Sequence, residues 1–148
     1  MAAVPSEKSA DIAAIEAIVS AQAEAWNRGD AKAFSARFAE DGSFTNVFGM
    51  TFYGHAAFEQ RHREFFETVA RGTRATMAIA KLRFVRDDVA IADVDCTTSG
   101  YAKLPPGVPA NSESAVRSCL QLVFVRENGS WWITAFHNTA VTPLPARS

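Results

Sequence analysis

Three histidines, a few amides in apolar surroundings and one pair of alternating aspartates are the residues of this chain with chemistry to offer. His137, in "AFHNT", is the foremost acid–base candidate, because imidazole titrates near neutrality. Its plainer reading is a structural histidine bonded to a nearby backbone group. His62 falls on the apolar side of a helical repeat and can join a pocket. His55 starts that same repeat beside Gly54 and reads as exposed. Asn46 stands among Phe44, Val47 and Phe48, where it either lines a pocket or bonds its own turn. Gln22 interrupts an otherwise apolar helical stripe; a buried amide needs partners, so Gln22 is either a pocket group or a rim residue. Asp93 and Asp95 share one strand face. Such a pair can move protons or hold a metal, but no histidine stands at ligand spacing, and a solvated face or cross-strand pairing is simpler. Arg117 shares its face with Cys119 and Gln121: near a cavity mouth it would take an anion, and outside it is a solvated charge.

The elements that must position these groups follow from periodicity. Residues 1–9 are polar and read as a frayed start. Ser9 is suited to cap a helix from Ala10, in which Ile12, Ile15, Val19, Gln22 and Trp26 recur at helical spacing. "NRGD" ends it, with Gly29 fit for the left-handed position and Asp30 for the next cap. A second helix then carries Phe34 and Phe38 to about Glu40. Asp41-Gly42 reads as a turn, and a strand follows over about 43–48. Gly49 and Gly54 bracket a connection holding Tyr53, which can reach a cavity. "HAAFEQRHREFFETVARG" is a third helix, with Phe58, His62, Phe65, Phe66 and Val69 on its apolar side. From Thr73 the period changes to two. Strands are expected near 73–86, 88–101, 114–126 and 131–142, with hairpin turns at Asp87-Asp88 and Glu127-Asn128-Gly129 and a Pro-rich loop over 103–113. Trp131, Ile133, Ala135 and His137 share a parity, so a regular last strand would place His137 with Trp131 and Asn138 opposite; a β-bulge would reverse this.

Composition narrows the classes. The chain has 148 residues, 48% hydrophobic, with eleven Phe against two Tyr, which suits one domain with a dry aromatic interior. A net charge of −1 without a basic run speaks against nucleic acid as a partner. There is no apolar run of membrane-spanning length and no basic-then-apolar leader, so the chain reads as cytoplasmic. Cys96 and Cys119 have neither metal nor disulfide-framework spacing and read as small buried residues in strands. No metal site and no cofactor is implied, since no glycine-rich loop follows a strand.

Two stretches carry a family likeness. "AWNRGDAKAFSARFAEDGSFTNVFG" (25–49) and "VFVRENGSWWITAFHNT" (123–139) resemble the opening and the close of the nuclear transport factor 2-like superfamily, within it the SnoaL-like group, and most nearly the SgcJ/EcaC set of bacterial proteins. The resemblance spans about residues 10–142, a single domain ahead of a tail at 143–148. It implies an α+β, cystatin-like cone: three N-terminal helices packed on a curved, mostly antiparallel sheet that encloses a pocket. In the ketosteroid isomerase branch, the base is an aspartate at the position matching Asn46. The oxyanion hole there uses a tyrosine and a protonated aspartate, at positions that count back to Gln22 and Gln121. All three groups are amides here. An amide cannot abstract a carbon-bound proton near neutral pH, but it can donate hydrogen bonds to an oxygen.

The expectation is therefore a homodimer with a pocket for a mostly apolar small molecule bearing one or two oxygens. Asn46, Gln22, Gln121 and His137 would be the polar contacts, with His137 as acid or base in a cofactor-independent isomerase-, cyclase- or lyase-like reaction on a small hydrophobic or polyketide-like substrate. Trp26, Phe48, Tyr53, His62, Arg117 and Asn138 complete the expected ligand set. A non-catalytic binding or accessory dimer is the other reading, and a filled structural domain a third. A binding cone is expected to leave some hundreds of Å³. The strand over 114–126 is apolar at both parities, which implies cover on both sides; the face bearing Val116, Leu120, Leu122 and Phe124 is assigned to the dimer contact.

Overall fold

A computed structural model describes residues 6–107 and 115–144. The chain runs α1 (Ser6–Arg28), α2 (Ala31–Phe34), β1 (Phe38–Thr45), β2 (Thr51–Tyr53), α3 (His55–Glu67), β3 (Arg74–Arg86), β4 (Val89–Ser99), β5 (Val116–Glu127) and β6 (Ser130–Ala140). Six strands form one sheet in the order β2-β1-β6-β5-β4-β3. Only β1 and β6 pair in parallel. The three helices pack on its concave face, giving the expected α+β cone. Among the described residues, no helix is long and apolar enough to cross a membrane.

Local chemistry accounts for the joints. α1 ends where Gly29 takes φ +66° and the Asp30 N–H donates to Ala25 O at 2.9 Å. Asp30 then caps α2, its Oδ1 accepting from the Ala33 N–H at 3.0 Å. β5 and β6 are joined by Asn128-Gly129 with φ of 52° and 78°, the double positive φ of the tight hairpin turn that suits a right-twisted ribbon. Two polar clamps tie α1 across the sheet. Asp11 accepts from Arg126 Nη1 at 3.1 Å and from Trp131 Nε1 at 2.9 Å. Asn27 accepts the Ala75 N–H at 2.7 Å and donates to Ala75 O at 3.3 Å, so its side chain acts as one more rung on the free edge of β3.

Several expectations change. α1 begins at Ser6, ahead of Ala10, so residues 6–9 are helical. Phe38 and Glu40 belong to β1, not to the second helix. Asp41-Gly42 is not a turn but part of an irregular stretch of β1: Phe38 pairs with Ile133 and Ser43 with Ala135, five positions on one strand against two on the other. A Cβ on Gly42 would lie 2.8 Å from the Phe38 ring and 3.2 Å from Ile133 O, so glycine is needed there for close approach. The third helix stops at Glu67, leaving Val69 exposed. The Pro-rich loop is described to Gly107; its remainder, the chain start and the last four residues lie outside the described residues.

The faces of β5 are the main correction. Val116, Ser118, Leu120, Leu122 and Phe124 are buried on the concave side, while Arg117, Cys119 and Gln121 are exposed on the convex side. The four residues assigned to a dimer contact are thus the monomer's own core. A dimer built on this sheet has only the Arg117, Cys119, Gln121 face to offer. Cys119 is exposed rather than buried, whereas Cys96 is buried and burial pushes its thiol up to about 12.

Asn27→Ala removes the extra rung and strands the Ala75 backbone groups; it is expected to cost about 2 kcal/mol, read as a lower urea midpoint at unchanged slope. An unchanged midpoint would show that the clamp carries no stability.

Candidate functional site

The core is a ring cage. Phe58, with no exposed surface, stacks on Phe38 at 4.0 Å and on Phe34 at 5.7 Å. His62 sits among these rings, with centroids of Phe58, Phe34 and Phe44 at 4.3, 4.6 and 5.0 Å. Beyond it opens a cavity of about 90 Å³. Its walls are Trp26, Phe44, Phe65 and Phe136, its polar groups His62 and Asn138, and its mouth Asn46, Val47, Phe48 and Arg61. Trp26 is held in place because its Nε1 donates to Thr73 Oγ1 at 3.0 Å, while that hydroxyl donates to Ala70 O at 2.6 Å.

His62 is fixed in tautomer and in charge. Its Nδ1 lies 2.8 Å from Phe58 O, one turn back on α3. A carbonyl only accepts, so the proton is on Nδ1 and Nε2 keeps its lone pair. Burial lowers its pKa from 6.5 to about 4, against the backbone bond to Phe58, with the Arg61 charge adding to the lowering. His62 is neutral at any physiological pH.

Three amide atoms stand out against this dry background. Gln22, 3% exposed, has no hydrogen-bond partner for Nε2 or Oε1. Asn138 Oδ1 is also buried without one. Gln22 lies one helical turn before the cavity wall Trp26, and Asn138 two residues beyond the wall Phe136. A buried polar atom left unpaired costs about 1–3 kcal/mol, so these atoms call for an occupant that supplies donors and acceptors.

Of the residues singled out in the sequence, the structure brings Trp26, Asn46, Phe48, His62 and Asn138 to one cavity, while Gln22 is buried on α1 outside its lining. It does not bring the others. Ile133 faces Phe124 and Ala135 faces Val123, so Thr134 is an extra residue in β6. This bulge reverses the parity: Phe136 and Asn138 turn inward and His137 turns out, exposed, opposite Gln121 and Thr45. His137 is therefore not a cavity acid or base. Gln121 is exposed and its Nε2 donates to Asp93 Oδ1 at 2.9 Å, which also accounts for Asp93. Arg117 is exposed on the same outer face, and Tyr53, 75% exposed, lies on the edge strand away from the cavity. Asn46 follows the end of β1, and its Oδ1 accepts from the Phe48 and Met50 N–H groups at 3.0 Å each; its oxygen is spent on its own turn although it borders the mouth. His55 is half-buried, its Nε2 2.9 Å from Ser35 O. Among the described residues, no three His, Cys, Asp or Glu side chains are grouped to hold a metal. Arg61, Phe65 and Phe136 were not singled out as site residues. Arg61 reads as one more charge on a helix, and Phe136 has the wrong parity unless Thr134 is recognised as a bulge.

The cavity is smaller than the several hundred Å³ expected of a binding cone, because phenylalanine rings fill much of the interior.

A family model described as SnoaL-like domain matches residues 19–133. The fold is similar to a domain of unknown function with a cystatin-like fold from Nostoc punctiforme (TM-score 0.77, 27% identity, 96% of this chain and 82% of that one). It is also similar to an uncharacterised cystatin-like protein from Caulobacter vibrioides (0.76, 27%, 89% and 90%). A ketosteroid isomerase-like protein from Erwinia carotovora atroseptica matches at a TM-score of 0.71 and 22% identity, over 88% of this chain and 96% of that one; at that identity the likeness is one of fold. No curated protein matches.

Two outcomes follow from the site. Gln22→Leu replaces orphaned atoms with apolar ones of similar size, so stability should hold or rise by about 1 kcal/mol; a clear loss in urea unfolding would mean that the amide is satisfied in solution. For His62 the unfolded chain binds a proton below about 6.5 that the folded chain refuses until about 4. Stability is whole above that upper value and falls by up to about 3 kcal/mol as pH drops to the lower one. His62→Leu should flatten that slope between pH 7 and 4; an equally steep slope in the variant would place the titration elsewhere.

Proposed function

This chain belongs to the SnoaL-like domain family, and we propose that it binds a small, mostly apolar organic molecule in its ring-lined cavity, with an oxygen function of that molecule meeting the inner polar groups. The observation that carries this reading is the orphaned Asn138 Oδ1 in a cavity that also holds a neutral histidine, with the orphaned Gln22 amide one helical turn from the wall residue Trp26. A fold filled for structure alone gains nothing from amides placed at that cost. A hydroxyl on the ligand can donate to His62 Nε2 or to Asn138 Oδ1. The close "W-x-I…HNT" pattern supports placing the chain in the SgcJ/EcaC set.

Binding without turnover fits the charges better than acid–base catalysis. Among the described residues, no carboxylate lines the cavity. A protonated His62 would sit among rings with no counter-ion, and its low pKa makes it an acceptor more than a base. A cofactor-independent enzyme is the second reading, favoured by one feature, the free Nε2 lone pair. In that case His62 takes a proton and the amides stabilise the developing oxyanion.

The test is protein-observed NMR with phenol against toluene, at millimolar concentrations. Phenol should shift the Trp26 indole and the β6 amides and bind about tenfold more tightly than toluene, and Asn138→Leu should weaken that preference. Absence of any shift at these positions with either compound would sink the cavity as a ligand site.

A further inference from the structure

The cavity does not end at its mouth. Arg61 and Phe65 line both it and an adjoining groove of about 520 Å³ that continues past Phe48 to Glu64, Pro105 and Pro106. The inner space of about 90 Å³ is smaller than the roughly 150 Å³ dry cavity that takes benzene. A ligand with a ring therefore enters by one edge, and the rest of it lies at the doorway. What it meets there is Arg61.

Arg61 is half-buried on α3, its guanidinium 5.4 Å over the Phe52 ring. Among the described residues it has no carboxylate within 4.0 Å. Two acidic residues of its own helix are engaged elsewhere: Glu59 accepts from Arg63 at 2.7 Å, and Glu64 accepts from Gln60 at 3.0 Å. Among the described residues no carboxylate lines the inner cavity, and the doorway groove holds the Arg61 guanidinium together with the Glu64 carboxylate, which makes no ion pair with it. A planar guanidinium fork suits a carboxylate, which it can hold through two parallel hydrogen bonds.

We propose that the ligand of this cavity is an apolar organic acid, held with its carboxylate on Arg61 at the mouth and its hydroxyl or carbonyl end directed inward to His62 and Asn138. This rests on the reading of the cavity as a ligand site and adds the ligand's charge and its orientation. The chemistry is consistent at both ends. The inner groups are neutral and recognise a neutral oxygen, and the outer group is cationic and recognises an anion. The Arg61 charge also opposes protonation of His62, so a carboxylate docked on Arg61 removes part of that opposition.

The experiment is a titration of the full chain with two probes that share one ring and one phenolic hydroxyl: para-hydroxyphenylacetate, an acid, and para-hydroxyphenylethanol, its neutral counterpart. Protein-observed NMR reads affinity and position together. The acid should bind about tenfold more tightly than the alcohol. Arg61→Gln should erase that preference by weakening the acid about tenfold more than the alcohol, and Arg61→Lys should keep a part of it. Alcohol binding by Arg61→Gln shows that the variant is folded. Equal affinities in the unaltered protein, or a preference that survives Arg61→Gln, would overturn the anion assignment while leaving the cavity reading intact. If neither probe reaches the Trp26 and β6 resonances, both readings fall together.

Discussion

A strand keeps one set of side chains on the concave face only while its pleat runs unbroken, and β6 breaks at Thr134. Before the bulge Trp131 and Ile133 point in; after it Phe136 and Asn138 do. Most of the interior hangs on that single extra residue. Phe136 meets the rings of Phe44 and Phe58 at 5.3 Å each and of Phe34 at 6.2 Å, so it closes the cage in which His62 sits. The parallel partner β1 has its own irregular stretch at the same level, with Gly42 leaving room for the Phe38 ring against Ile133. An unbroken β6 would bring His137 inside and put Phe136 in water.

The cage then sets the electrostatics. Rings around His62 strip its hydration, which disfavours the charged form. The i to i−4 bond to Phe58 O holds the remaining proton on Nδ1. The interior thus contains one lone pair, two amides and no formal charge. Such a set discriminates by hydrogen-bond pattern: a molecule that cannot satisfy it leaves buried atoms unpaired, and that penalty is larger than the gain from any single neutral bond. Stability is given up inside the cone, while the clamps at Asp11 and Asn27 hold its rim.

The long strands β3 to β6 were legible within a few residues, because period two over ten or more positions has no helical alternative. The cone followed from the resemblance at its two ends. Gln22 was visible as the break in an apolar stripe, and His62 as a polar residue on an apolar helix face. What was not legible depended on contacts distant in sequence. Asp41-Gly42 carries a turn signal, yet the glycine is there for the Phe38 ring and Ile133 O. In β5 both parities are apolar in part, so which one faced the helices could not be read from the strand alone; burial puts Leu120, Leu122 and Phe124 inside and Gln121 outside. His137 and Asn138 exchanged places because a bulge has no sequence mark of its own. Arg61 carries no signal at all until the cavity beside it is seen.

A frame shared with proteins of different names fixes where a site lies and leaves its chemistry to the inward side chains. Here, on the proposed reading, those side chains would sort a ligand by charge along one axis. The deep end offers neutral donors and acceptors in a place where an ion would lose its hydration without a counter-charge. The mouth offers a guanidinium with water on one side and rings on the other. A ligand bound as proposed would keep an ionised group at the rim and an uncharged oxygen inside. Orientation in such a pocket follows from the gradient of polarity before shape is considered, which is how a cavity this small can select a molecule larger than itself.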